Sequence, residues 1–449
     1  VNVQEWKGVK VTVIGLAKSG LAAIELLANK GAVVTACDLK PLEELPEAAV
    51  LLRRFGITFR PQSPEALEQA DWIILSPGVP ADLEILEQAR RRGARIVGEV
   101  ELAGLFLQGR TIGITGSNGK TTTTALVGHI LKECGIPAQV GGNIGTLPAT
   151  AMAARSQPDG WNVLELSSFQ LETIETFRAH IAVILNVTQD HLDRHHCFEA
   201  YAQAKARILE TQAPEDCAIL NADDETCRRL AAKARAKTLW FSLSGPVAEG
   251  AWLEGGRIFA GGKSLLAASE IPLRGRHNIE NVMAAALAAA EAGAPREGIA
   301  AAVRSFRAVE HRLEFVRKVR GVDYYNDSKA TNVDSAIKAV EAFEGPLWVI
   351  LGGKDKGSDY APLATVLAGK ARAALLIGAA TPLIAEKLRG AVPVVECGTL
   401  EQAVQIAYRE AAPGDTVLLA PACASFDQFR NYEHRGEVFK NLVNRLREE

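Results

Sequence analysis

Apolar runs of strand length recur along the chain, at 9–14, 72–75, 111–115, 162–166, 181–187, 347–351, 373–377 and 416–420. Each is close to continuous in Val, Ile, Leu and Ala rather than alternating with polar residues, the pattern of strands buried on both faces. Between them lie longer Ala-, Leu-, Glu- and Arg-rich segments with helical spacing, such as 21–30, 281–302 and 400–411. Strands alternating with helices predict an α/β fold with parallel strands in more than one sheet. No internal repeat, low-complexity tract or coiled-coil heptad interrupts the pattern. One boundary is expected near Gly98, before 99–109 leads into a new strand, and another near Ala308, after the Ala-rich stretch. The expected domains are therefore 1–98, 99–308 and 309–449.

The length of 449 residues agrees with two to four domains. With 48% hydrophobic and 23% charged residues the chain is globular rather than disordered. Lys and Arg number 50 against 53 Asp and Glu, so the surplus of cations that a nucleic-acid binder draws on is missing. No run is long and apolar enough for a membrane helix, and residues 1–15 do not read as a signal peptide, so no membrane insertion is expected. The seven cysteines are scattered and never spaced C-x-x-C. That argues against a zinc site or a disulfide framework and for a reducing, cytoplasmic setting.

Candidate chemistry gathers at the ends of the predicted strands. Gly15-Leu16-Ala17-Lys18-Ser19-Gly20 follows the first strand and opens a helix. A helix N-terminus there offers free N–H groups to a diphosphate, and Asp38 ends the next strand where a ribose-binding carboxylate would sit. Gly116-Ser117-Asn118-Gly119-Lys120-Thr121-Thr122 has the strand–loop–helix setting of a phosphate loop, with two residues rather than four between its glycines. Its backbone would cradle phosphates, Lys120 would reach the β/γ-phosphates and Thr121 would ligate Mg²⁺. Glu165 closes a strand expected to be buried, and a buried carboxylate needs a cation, here the Mg²⁺ of the nucleotide. The string Asn186–His196 leaves another strand end with three histidines, two aspartates and an arginine. His191 is favoured because it follows the strand most closely, whereas His195 and His196 read as structural or surface residues. Lys205, within a helix, reads from spacing alone as a solvated charge. Further cation- and hydroxyl-bearing loops lie around His311-Arg312, at 326–332, at 352–357 and at 421–427.

Taken together these strings resemble the Mur ligases of bacterial cell-wall synthesis, from Gly15 to Gly436. The Gly-Ser-Asn-Gly-Lys-Thr loop fits every Mur ligase and the related folylpolyglutamate synthases. The strings at 166–172, 326–332 and 421–428 are closest to the branch that adds D-glutamate, and the Asp-Asn-Pro-Arg string of the diamino-acid-adding branch is absent. The resemblance implies a Rossmann-like UDP-binding domain, a central ATPase domain and a Rossmann-like C-terminal amino-acid domain. It implies ATP-dependent addition of D-glutamate to UDP-N-acetylmuramoyl-L-alanine through an acyl phosphate, in peptidoglycan precursor synthesis, by a monomer. Carried over residue by residue, it assigns Gly116–Thr122, Asn281, Arg312 and Asp327 to ATP. Thr121, Glu165, His191 and Lys205 go to two Mg²⁺ sites. Ser19, Asp38, Ser76, Gly78 and Asn143 go to the UDP substrate, and Thr331, Lys356, Ser425 and the Tyr432 backbone to D-glutamate. Lys329 becomes a further active-site cation, with Lys354 as the alternative to Lys356. Lys205 aligns with a lysine that relatives carry as a carbamate. A dehydrogenase built on the first Gly-rich turn would leave the phosphate loop unexplained. A nucleotide-dependent binding protein would carry the same loop without ligation.

Overall fold

The structure is a computed structural model that describes residues 6–145, 147–307 and 309–448, apart from the Asp193 side chain. Ala308, beside which the second boundary is expected, lies outside the described residues. The first sheet joins β1 (Lys10–Ile14), β2 (Val33–Asp38), β3 (Thr58–Pro61), β4 (Trp72–Leu75) and β5 (Arg95–Gly98) in the order β3-β2-β1-β4-β5. All of its neighbours pair parallel. Successive residues of β4 alternate between two cores, Trp72 and Ile74 in one and Ile73 and Leu75 in the other. Both faces of the sheet are thus covered, which is why the run at 72–75 is apolar throughout.

The second sheet contains β6 (Arg110–Thr115), β7 (Ala138–Gly142), β8 (Trp161–Glu165), β9 (Ile181–Ile184), β10 (Cys217–Asn221), β11 (Lys237–Ser242), β12 (Gly250–Glu254), β13 (Arg257–Ala260) and β14 (Lys263–Ala267). Their order is β14-β13-β12-β11-β10-β9-β6-β8-β7. The strands from β7 to β12 pair parallel, whereas β12 and β13 pair antiparallel. The antiparallel extension is absent from the sequence expectation. Its cue is the repeated Gly-Gly: Gly255 and Gly256, at φ 55° and 73°, form a two-residue turn of the left-handed kind that hairpins require.

The third sheet contains β15 (Glu314–Val319), β16 (Val322–Asn326), β17 (Leu347–Gly352), β18 (Ala371–Ile377), β19 (Val394–Gly398) and β20 (Thr416–Leu419), ordered β15-β16-β20-β17-β18-β19. Only β15 runs antiparallel among these pairs. Alternate residues of β18 again enter opposite cores, Ala374 and Leu376 against Ala373, Leu375 and Ile377.

Two further expectations are corrected. The strand expected over 181–187 stops at Ile184: Asn186 bonds to the phosphate loop and the Val187 N–H donates to Asp224 Oδ2 instead of continuing a ladder. The helical stretch 281–302 is two helices, Arg276–Glu291 and Arg296–Ser305, separated around Gly293 (φ 101°) and Pro295. Proline has no N–H to continue a helix, and glycine accepts the left-handed turn.

The chain divides into two compact units. The first holds the residues through Val187, Glu199–Leu266 and Val282–Val303, with the first two sheets. The second holds Thr188–Phe198, Ala267–Asn281 and the residues from Arg304 on, with the third sheet. Thr188–Phe198 and Ala267–Asn281 thus group with the C-terminal sheet although they lie in the central part of the sequence. No helix among the described residues is long and apolar enough to cross a membrane.

Candidate functional site

In the first unit, β6 delivers Thr115 to a tight loop that opens the helix Lys120–Glu133. Gly116 (φ 153°) and Gly119 (φ 85°) have the backbone that side chains disfavour, so the two glycines shape the shortened loop. Asn186, just past β9, clasps it. The Ser117 N–H donates to the Asn186 carbonyl at 2.9 Å, and the Asn118 N–H donates to Asn186 Oδ1 at 2.8 Å. Ser117 Oγ pairs with the Tyr201 hydroxyl at 3.0 Å. Lys120 Nζ turns back to donate to the carbonyls of Gly116 (2.8 Å) and Ser117 (2.9 Å). Thr122 is buried with Thr121 in the first turn of the helix.

Lys205 corrects the sequence reading. It is not a solvated charge but 1% exposed, and its Nζ donates to the same Gly116 carbonyl at 2.7 Å. Its ammonium also lies 4.5 Å from the Tyr201 ring centre, one helical turn back. Two lysines therefore converge on one loop carbonyl, an arrangement suited to an anion beside the loop.

Glu165 ends β8, buried, where it pairs with Gly142 of β7. Asn143 fixes it twice, its N–H donating to the Glu165 carbonyl and its Nδ2 to Oε1, both at 2.9 Å. Glu165 Oε2 and Thr121 Oγ1 are both buried without a hydrogen-bond partner. Unpartnered buried oxygens are costly, and a hard cation is the ligand that would satisfy them. Among the described residues no three His, Cys, Asp or Glu side chains cluster as a dedicated metal cage. Mg²⁺ takes one or two protein oxygens and fills the rest of its octahedron with water and phosphate.

The Gly15 turn lies in the same unit. A Cβ at Gly20 would fall 1.8 Å from the Gly15 carbonyl, so only glycine lets the helix start this close to β1. Ser76 Oγ donates to that carbonyl at 2.7 Å. Asp38 accepts from the N–H groups of Leu16 (2.7 Å) and Lys40 (2.9 Å), which ties the turn to the end of β2. Ser19 is half-buried in the first turn of the helix, and a Cβ at Gly78 would meet nothing within 4 Å.

In the second unit, His191 takes a left-handed backbone (φ 55°) and caps a short helix. His195 is buried and His196 exposed. Asp190 is the hub here. It accepts from Lys356 Nζ at 3.0 Å and from Asn332 Nδ2 at 2.8 Å, and His191 Nε2 lies 3.7 Å away. Burial opposes its ionisation, but the Lys356 ammonium, with His191 beside it, holds its carboxyl down at about 2. These residues line a cavity of about 270 Å³ with Thr188, Asp334 and Asp359. Lys356 is directed toward this hub, whereas Lys354 is exposed and its backbone pairs with Ala424.

Asp327 is buried beyond β16, and burial pushes its carboxyl up to about 6 against the pull of Arg312. The Arg312 Nε is buried without a partner. Asn281 Nδ2 donates to Asn278 Oδ1 at 2.9 Å. Lys329 Nζ lies 3.8 Å from the centre of the Tyr432 ring. Thr331 and Ser425 stand on the loops after β16 and β20, with Ser425 buried. Tyr432 opens the helix Tyr432–Asn444.

Sequence reasoning missed Asn186, Tyr201, Asp190 and Asn332 as parts of these clusters. Tyr201 had a signal, since it stands four residues before Lys205 and so shares its helix face. Asp190 stood in a flagged string beside the favoured His191.

Comparison with known proteins matches three family domains in order along the chain. Residues 9–98 match the Mur ligase MurD-like N-terminal domain, 114–289 the Mur ligase middle domain, and 311–423 the Mur ligase glutamate ligase domain. The UDP-N-acetylmuramoylalanine–D-glutamate ligase of Solibacter usitatus is 64% identical over 440 residues, 98% of each chain. Its namesake from Acidobacterium capsulatum is 54% identical over 98% of this chain and 97% of its own. The solved UDP-N-acetylmuramate–alanine ligase of Thermotoga maritima shares the fold at a TM-score of 0.63 and 20% identity, covering 97% of this chain and 99% of its own. With all three domains matched in order and such identity over nearly its whole length, the chain belongs to the Mur ligase family.

Proposed function

We propose that the chain is the ATP-dependent ligase that joins D-glutamate to UDP-N-acetylmuramoyl-L-alanine. The observation that carries the ATP chemistry is the phosphate loop with two unpartnered buried oxygens beside it, Thr121 Oγ1 and Glu165 Oε2. The choice of substrates rests on the 64% identity to a relative that bears this name. Three functional domains, 1–98 for the UDP moiety, 99–308 for ATP and 309–449 for the amino acid, accompany the reading.

A carboxylate is a poor electrophile, and its phosphoric anhydride is a good one. The substrate carboxylate oxygen attacks the γ-phosphorus, the bond to the β-phosphate oxygen breaks, and ADP leaves. The amine of D-glutamate then attacks the acyl carbon, and the tetrahedral intermediate expels inorganic phosphate. The loop N–H groups from Gly116 to Thr122 hold the phosphates, and Lys120 swings from the loop carbonyls onto the β/γ-oxygens. Asn143 orients the Glu165 carboxylate and stands near the reacting end of the UDP substrate. Ser19, Asp38, Ser76 and Gly78 take the UDP moiety. Asp327 binds the ATP ribose, Asn281 the adenine and Arg312 the phosphates. Lys356 and Thr331 take the α-carboxylate of D-glutamate, Ser425 and the Tyr432 N–H its side-chain carboxylate, and Lys329 adds a cation beside them. Thr121 and Glu165 would hold one Mg²⁺ and His191 a second, and the bound metal would neutralise the phosphate charge.

Lys205 is carbamylated in this reading. Its neutral amine adds to the carbon of CO₂ and loses a proton, which turns an ammonium into an anion able to serve Mg²⁺. Two ammoniums on the Gly116 carbonyl repel each other, and carbamylation converts that repulsion into attraction. The test of the function is phosphate release from ATP with UDP-N-acetylmuramoyl-L-alanine, comparing D-glutamate, L-glutamate and no amino acid. Release that needs D-glutamate, with the coupled product found by mass, is expected. Release with another amino acid alone would move the substrate, and no release would remove the ligase reading.

A further inference from the structure

Among the described residues the largest fully buried side chain is Arg435, in the helix Tyr432–Asn444. Its exposure is 0%, and no carboxylate among the described residues lies within ion-pairing distance. Burial pushes its guanidinium down to about 10. Its partners are neutral. Nε donates to Ser328 Oγ at 3.0 Å and one terminal nitrogen to the Ser328 carbonyl at 2.8 Å, while both terminal nitrogens reach the Cys423 carbonyl at 3.2 Å. Ser328 Oγ in turn donates to the Tyr432 carbonyl at 2.8 Å. The acid that acts on it from farther off, Asp427, spends Oδ2 on the Ala379 N–H.

These contacts join three segments. Ser328 stands on the loop after β16 next to Lys329 and Thr331. Cys423 stands on the loop after β20 two residues before Ser425. Tyr432 opens the helix. They are the segments to which the proposed function gives the amino acid. A fold that needed only to fasten loops could use a neutral donor, because a buried cation without a counter-ion costs desolvation. Its cost is offset when an anion arrives beside it.

We propose that Arg435 is the positioning residue of the amino-acid site. The guanidinium fixes the loops after β16 and β20 to each other and supplies the positive charge that an incoming dicarboxylate completes. It sets the affinity for the amino acid and leaves ATP and the UDP substrate to other groups. This rests on the reading of the chain as a D-glutamate ligase.

The test compares wild type with Arg435→Met and Arg435→Lys, measuring KM for D-glutamate, ATP and UDP-N-acetylmuramoyl-L-alanine separately, together with the thermal midpoint. Arg435→Met is expected to raise KM for D-glutamate about tenfold or more, with the other two KM values within about threefold and the midpoint lowered, because the buried Ser328 and Cys423 carbonyls lose their donor. Arg435→Lys keeps the charge but cannot bridge Ser328 and Cys423 with a planar fork, so its KM for D-glutamate falls between the two. Three KM values that rise together, or a fall confined to kcat, would overturn the proposal and leave Arg435 a structural residue. If Arg435→Met does not fold, the lysine variant decides: an unchanged KM for D-glutamate in it overturns the proposal. A wild type without D-glutamate-dependent phosphate release would instead remove the functional reading itself.

Discussion

In the first unit Lys120 and Lys205 turn their ammoniums onto the Gly116 carbonyl, whereas in the second Lys356 holds the carboxylate of Asp190. The difference concerns what a ligand must do on arrival. A backbone carbonyl is a neutral partner that a phosphate oxygen can replace, since a charge-assisted bond is the stronger one. The bond to a buried carboxylate is itself charge-assisted, so a substrate carboxylate is expected to add to the remaining ammonium protons of Lys356 rather than to displace Asp190. The first unit therefore offers exchangeable contacts and unpartnered oxygens, and the second an already satisfied hub that a ligand extends.

The sharpest way to break this comparison is at Lys120. Lys120→Ala should lower kcat for phosphate release about a thousandfold, measured at saturating substrates. A loss of less than about tenfold would mean that the loop backbone alone carries the phosphates. Next comes Lys205→Ala, expected to cost about a hundredfold and to regain activity when short-chain carboxylates are added, since they restore the missing anion. Unimpaired activity in this variant would sink the carbamate.

In the second unit Lys356→Ala should raise KM for D-glutamate by about ten- to a hundredfold and leave KM for ATP alone, as read from initial rates. Equal changes in both would place Lys356 outside the amino-acid site.

The smallest expected effect is on stability. Burial, with Lys338 and Arg312 nearby, pushes His277 down to about 4. The unfolded chain takes up this proton near pH 6.5 and the folded one does not, so the unfolded state binds more protons between the two values. The contribution of His277 is complete above pH 6.5 and is lost as pH falls toward 4. From pH 7.5 to 5 it amounts to about 2 kcal/mol. His277→Gln should flatten that part of the pH profile of the thermal midpoint; parallel profiles for variant and wild type would reject the assignment.

Much of this was legible in the sequence, for physical reasons that differ between regions. Strands covered on both faces, such as β4 and β18, announce themselves because every residue is apolar. The strands β12 to β14 carry mixed residues and are marked only by their Gly-Gly turns, so the periodicity reading passed over them. At the phosphate loop the string Gly-Ser-Asn-Gly-Lys-Thr carries its own local geometry. The burial of Lys205 has no local signal, because what removes it from water is packing against the loop 89 residues earlier in the chain. Asp190 met Lys356 across 166 residues, and no spacing rule joins such a pair. The string around Arg435 carries no local sign of its burial, which packing with the loops after β16 and β20 creates.

The measurement that tests the central claim most directly follows an oxygen atom. UDP-N-acetylmuramoyl-L-alanine labelled with ¹⁸O in its carboxylate is turned over with ATP and D-glutamate, and the released phosphate is examined by mass. Activation as an acyl phosphate predicts one ¹⁸O carried from the substrate into each phosphate. Phosphate that forms at the same rate without the label would contradict the account, because the carboxylate oxygen would then never have been bonded to phosphorus.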